Sequence, residues 1–238
     1  ITHRNKHISL GSFITPADAE RAYHEAEDIL RGQSSAYVDT VRYTTGYEPS
    51  TASLSFDKWV TLVNLRDNGI YIKTPVYLCR KFFVYFLSPE KHMIFSADDL
   101  FYYSTHKIMA RNGYLFVNDF GTQTNILSRY GIKNHAVCGR DYYFVNGDPN
   151  DYRYNNIEIT NPYSGVRKIF RNGRNMYKVK IHINGDFVVG IYMTEKEAAI
   201  AYNKAADILR SKGFVKNFPS NYIDNINPIE YASLYNAV

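Results

Sequence analysis

The sequence predicts an α+β protein in which two small sheet-plus-helix modules flank a strand-rich middle. Three observations predict it. Residues 2–31 match residues 181–210 at a constant offset of 179, including His3 with His182, Asn5 with Asn184, Thr15 with Thr194, and Asp28–Arg31 with Asp207–Arg210. Each copy pairs a hairpin signal with a helix whose apolar stripe is mostly alanine. Between the copies, short apolar runs alternate with Asn-Gly turns. A duplicated module favours a grip on an extended partner over a single catalytic cleft, because a second site gains from effective concentration.

In the first copy (1–34) Thr15 is a helix cap, Pro16 suits the first turn and Asp18 favours the positive helix end. Ala19, Ala22, Tyr23, Ala26, Ile29 and Leu30 form the stripe. The chain begins at Ile1, inside this repeat, which points to a processed or truncated start. Residues 35–69 read as a connector rich in Ser, Thr and Asp, with Trp59, Val60, Leu62, Val63 and Leu65 as packing residues. Phe82–Leu87 reads as a buried strand, Ser96–Leu100 as a capped helix start, and Asn112-Gly113 as a hairpin turn.

The second copy (163–222) is complete. Tyr177, Val179, Ile181 and Ile183 alternate with Lys178, Lys180 and His182, so one strand face is apolar and the other cationic. Asn184-Gly185 predicts a two-residue turn with positive φ at both positions. Phe187–Tyr192 is the return strand, and Thr194 with Glu197 is a capping box. Residues 165–192 carry Arg167, Lys168, Arg171, Arg174, Lys178 and Lys180 against one acid, Asp186. An exposed basic strand face suits a nucleic-acid groove or a line of phosphates. Residues 223–238 are a tail.

Composition narrows the classes. The chain has 238 residues, 28 basic and 23 acidic side chains, 22 Tyr and 14 Phe. A net charge of +5 leans toward a polyanionic partner. Cys79 and Cys138 are too few and too far apart for a zinc site, and fit free thiols in an intracellular, reducing compartment such as cytoplasm, nucleus or organelle matrix. No apolar run approaches membrane-spanning length and no signal-peptide pattern is present, so no membrane partner is expected.

Gly165-Val166-Arg167, Tyr177–Tyr192, the helix from Thr194 to Arg210 and Asn217-Phe218-Pro219 together resemble the ethylene-response-factor (APETALA-type) DNA-binding domain, in the form attached to phage HNH homing endonucleases. The resemblance implies a three-stranded sheet lying in the major groove, with Arg167, Lys180 and His182 facing nucleic acid. The third strand departs from the pattern: Asp186 and Val188 stand where that family has a DNA-contacting arginine and tryptophan. Residues 142–157 resemble the HNH ββα-metal core, which would occupy 70–162. The match implies Tyr143 at the metal-binding Asp, Phe144 at the general-base His, Tyr152 at the orienting Asn, and Ser128 at an upstream His, with Asn156 retained. Phenylalanine neither accepts a proton nor binds a metal. Asn146, Gly147, Asp148, Asp151 and Arg153 remain as scaffold, with Asp151 capping the helix expected to follow.

The full expectation is thus two modules flanking a degenerate ββα (HNH-like) core, in a non-catalytic protein binding duplex DNA or structured RNA. No cofactor and no metal are expected; His135, Asp141 and Asp148 form the alternative metal set. The rival readings are a structural component of a ribosome or other large ribonucleoprotein, contacting RNA or proteins, an active metal-dependent endonuclease, and a phage or mobile-element transcription regulator.

Overall fold

The computed structural model describes residues 1–32, 47–134 and 136–238. Helix makes up 32% and strand 28%, in several small sheets, an α+β class. The chain divides into two compact units: Ile1–Tyr130 with Phe144–Glu158, and Gly131–Tyr143 with Ile159–Val238.

The first unit opens with a ribbon of β1 (Thr2–His3) and β2 (Lys6–His7), followed by α1 (Pro16–Arg31). Arg4 and Asn5 take positive φ at the turn. The expected three-stranded sheet is not formed among the described residues: the ribbon has two residues per strand, and residues 8–15 carry no strand. With so little sheet to cover, α1 packs its Ala22 and Ala26 against α2 (Phe56–Asn68) instead, around Ile8, Leu54, Leu62 and Leu65.

That second helix lies within the 35–69 segment, of which 35–46 lie outside the described residues, and carries its expected packing residues Trp59, Val60, Leu62, Val63 and Leu65. Ser55 caps α2 by accepting from the Lys58 N–H, and Gly69 ends it at φ 71°. One face buries Trp59, Val60 and Val63 against Tyr77, Val84 and Phe86. The buried Asn64 ties the helix to the sheet, its Oδ1 accepting from Leu78 N–H at 2.8 Å.

Strands β3 (Val76–Leu78), β4 (Phe82–Phe86) and β5 (His92–Ser96) run antiparallel. A one-turn α3 (Leu100–Tyr103) precedes a meander of β6 (Ile108–Arg111), β7 (Tyr114–Asp119) and β8 (Thr122–Asn125). Asn112 and Gly113 both have positive φ, as the Asn-Gly signal predicts. Then come β9 (Tyr142–Phe144), β10 (Asp151–Tyr152) and β11 (Ile157–Ile159). β10 joins the first sheet parallel to β5, giving the order β10-β5-β4-β3, and β9 pairs with β11.

In the second unit β12 (Val166–Arg171), β13 (Arg174–His182) and β14 (Asp186–Tyr192) form a three-stranded antiparallel sheet. α4 (Glu195–Ser211) packs on it, and α5 (Pro228–Ala237) packs on α4. The capping box at Thr194 and Glu197 is complete. Val166, Val179 and Ile181 meet Ala198, Ala201 and Tyr202 in the core. The small alanines let the helix lie close, and Gly165 is part of that fit. Its φ is +71°, and a Cβ there would run into the Tyr202 ring and the Lys180 carbonyl. Gly165→Ala should therefore destabilise this unit by about 3 kcal/mol or more, through backbone strain plus overpacking, read as a drop in its denaturation midpoint. No described helix is long and apolar enough to cross a membrane.

Candidate nucleic-acid interface

The strand register decides which side chains share a face. Rungs Val166–Val179 and Tyr177–Tyr192 point to α4. The intervening rungs therefore point the other way: Arg167 opposite Lys178, Ile169 opposite Met176, and Arg171 opposite Arg174. On the third strand Ile191 sits opposite Lys178, Val188 opposite Lys180 and Asp186 opposite His182. A bulge at Val189 lets Val179 pair with Gly190 while Lys180 pairs with Val188. The outer face thus gathers Arg167, Arg171, Arg174, Lys178, Lys180 and His182.

Lys168 does not belong to it. It pairs with Tyr177, on the α4 side of the sheet. There burial holds the Glu195 carboxyl above its ordinary range, with the charge of Lys168 pulling the other way. Counting cations along the sequence misses this, because side chains alternate between faces.

The turns differ from expectation too. Neither Asn184 nor Gly185 has positive φ; the left-handed pair is Asn172 (φ 53°) and Gly173 (φ 72°), joining β12 to β13. That tight turn sets Arg171 and Arg174 directly across from one another at the hairpin end. Three residues, Ile183–Gly185, link β13 to β14 instead.

Asp186 subdivides the face. Its carboxylate lies 3.3 Å from Lys180 Nζ and 3.0 Å from His182 Nδ1. Hydrogen bonds from His182 and then Lys180 hold its pKa below the usual carboxylate value. Among the described residues, Arg167, Arg171, Arg174 and Lys178 form no such ion pair, as the carboxylates engaged elsewhere have other partners. Asp186→Asn should free Lys180 for a phosphate. Affinity for nucleic acid should rise, and the log–log salt slope should steepen by about 1 in an anisotropy titration.

The residues aligned with the nuclease site do different work. No α-helix follows Asn156; a single 3₁₀ turn, Tyr154–Asn156, runs into β11. The alternating, β-branched Ile157-Glu158-Ile159-Thr160 favours strand, so the ββα pattern is not completed. Tyr152 is buried, its ring stacked on Phe95 at 5.4 Å and edge-on to Phe144 at 5.6 Å. Asn156 is buried as a brace: Oδ1 accepts from Asn146 N–H at 2.8 Å and Nδ2 donates to the Asp151 carbonyl at 2.8 Å. Ser128 lies exposed in the 3₁₀ segment Ile126–Tyr130, not in a strand. Tyr143 is the middle residue of β9 and exposed.

Asp151 caps no helix. Burial would raise its carboxyl, but bonds from Arg153 and Asn146 outweigh that and keep it below its ordinary range. Gly147, at φ 79°, makes the Asn-Gly-Asp turn, with Asp148 N–H bonded to Asn146 Oδ1 at 2.8 Å. Of the alternative metal set, His135 lies outside the described residues. The Asp141 carboxylate accepts from Arg140, from Val137 N–H and from Asn161. No group of three or more His, Cys, Asp or Glu side chains suited to a metal is found among the described residues.

Sequence reasoning missed a buried charge pair. Asp99, 1% exposed, accepts from Arg129 at 2.5 Å, from Tyr154 at 2.9 Å and from Tyr130 at 3.4 Å. The Arg129 guanidinium also lies 4.2 Å over the Tyr102 ring. Read as a helix N-terminus, Asp99 makes no capping bond, and the Ser96 hydroxyl accepts from Tyr154 N–H instead. Thirty residues separate the partners, so no local pattern joins them.

No known family profile matches this chain, and no curated protein and no solved structure is significantly similar to it.

Proposed function

We propose that this chain binds nucleic acid without catalysis, through the outer face of β12–β14. The observation that supports this most is the gathering of Arg167, Arg171, Arg174, Lys178, Lys180 and His182 on one sheet face with Asp186 as its acid. Two of its rungs, Arg167–Lys178 and Arg171–Arg174, set like charges opposite each other, an arrangement that costs stability unless an anion lies between them. Phosphates of DNA or of folded RNA supply that anion.

The non-catalytic part of the reading rests on chemistry. Phe144 and Tyr152 stand where the resemblance to HNH nucleases needs a general base and its orienting partner, and they pack against each other. The reading is carried by the second module, whose three-stranded sheet is complete in this chain.

The test is a titration of the full chain against duplex DNA and structured RNA of equal length across a salt series. Binding to at least one, with log affinity falling linearly in log salt at a slope of about −3 to −5, fits four to six phosphate contacts. Binding to neither at low salt contradicts the proposal.

A further inference from the structure

On the α4 side of the sheet, the rungs leave the core one by one toward the β12–β13 turn. Val166–Val179 is buried under α4. In the next rung on that side Tyr177 still packs against the core, and Lys168 meets the charge of Glu195. The rung after it, Phe170–Asn175, lies outside that core; Asn175 is exposed and Phe170 is 75% exposed. The tip stands clear of the rest of the chain, since a Cβ on Gly173 would meet nothing within 4 Å. Among the described residues no second ring stacks on Phe170 and no cation lies over it, so its ring is open.

A lone exposed aromatic is ordinary on a protein surface. Its neighbours set this one apart. Arg171 and Arg174 face each other across the same tip and point to the opposite side of the sheet. The tip thus carries two cations on one side and an open aromatic ring on the other. Phosphate-binding charge beside a stacking ring is how single-stranded nucleic acid is held. Shape narrows the ligand further. To touch both sides it must turn around a tip roughly 10 Å thick. Duplex DNA, with a persistence length of about 50 nm, does not turn so tightly, and its base faces are already stacked. An unpaired strand bends freely and presents its base faces.

We propose that the β12–β13 tip binds an unpaired nucleotide, with the base stacked on Phe170 and the adjoining phosphates on Arg171 and Arg174. This rests on the nucleic-acid reading above and adds to it a substrate class: strands with unpaired bases, free or in a bulge or loop. Duplex meets only the cationic side of the tip.

The test uses the full chain and four labelled ligands of equal length: a single-stranded DNA, the same strand abasic throughout, its duplex, and the RNA strand of the same sequence. Phe170→Ala should weaken binding of an intact single strand about 5- to 150-fold, the loss of one stacked base. It should leave affinity for the duplex and the abasic strand unchanged. Phe170→Trp keeps a stacking ring and should bind as the parent chain does. Phe170→Leu keeps apolar bulk without a ring and should fall with the alanine variant. Whichever intact strand shows the larger loss identifies the backbone that the tip accepts. No loss on either intact strand overturns the inference, as does an equal loss on all four ligands; both leave nucleic-acid binding standing. Failure of the parent chain to bind any of the four overturns the underlying reading as well.

Discussion

Replacing Arg171 and Arg174 together with alanine is expected to weaken nucleic-acid binding by more than a hundredfold, since each charge-assisted bond to phosphate contributes roughly 1.5–3 kcal/mol. The salt slope should flatten by about 2 at the same time, one phosphate contact per arginine. Stability should move the other way or stay put. Both side chains are exposed, they face each other across the ladder, and neither has a carboxylate partner among the described residues. Removing two like charges from one rung relieves repulsion of a few tenths of a kcal/mol. A large loss of binding with an unchanged or raised melting temperature separates a contact role from a structural one. Lys168→Ala is the internal control: its side chain points to the α4 face, so it should leave affinity nearly unchanged.

The second large effect is on stability. Asp99→Ala should destabilise the first unit by about 3–5 kcal/mol, because the Arg129 guanidinium loses its carboxylate inside the aromatic cluster of Tyr102, Tyr103, Tyr130 and Tyr154. The hydroxyls of Tyr130 and Tyr154 lose an acceptor in the same step. The two-site variant Asp99→Leu/Arg129→Met should recover much of the loss, since an apolar pair of similar volume removes the uncompensated charge. Denaturant unfolding followed by tyrosine fluorescence reads both. Equal destabilisation by the single and the double variant would show that the charge pair is not what holds the cluster.

How much of this was legible in the sequence varies by element. The second module was legible because its signals are local. Thr194 and Glu197 stand at capping-box spacing, and the alternation from Tyr177 to His182 survives in the structure. Its details were lost where parity and turn geometry intervene. Lys168 is one residue from Arg167 and on the other face. The bulge at Val189 resets the third strand. The left-handed turn sits at Asn172-Gly173, inside a run that reads as charge. In α2, Trp59, Leu62 and Val63 stand at helical spacing, but a Ser- and Thr-rich stretch that reads as loop runs directly into them. The Asp99–Arg129 pair was out of reach, because contacts across thirty residues are made by the fold and not by any local pattern.

The face itself can be mapped directly. Amide chemical shifts of the labelled full chain, followed as duplex DNA is added, should change at Arg167–Arg174, Lys178–His182 and Val188–Ile191. The α5 segment Pro228–Ala237, packed on α4, should stay still. Shifts confined to residues outside the sheet, or none at saturating duplex, would contradict the assignment of this face as the nucleic-acid interface.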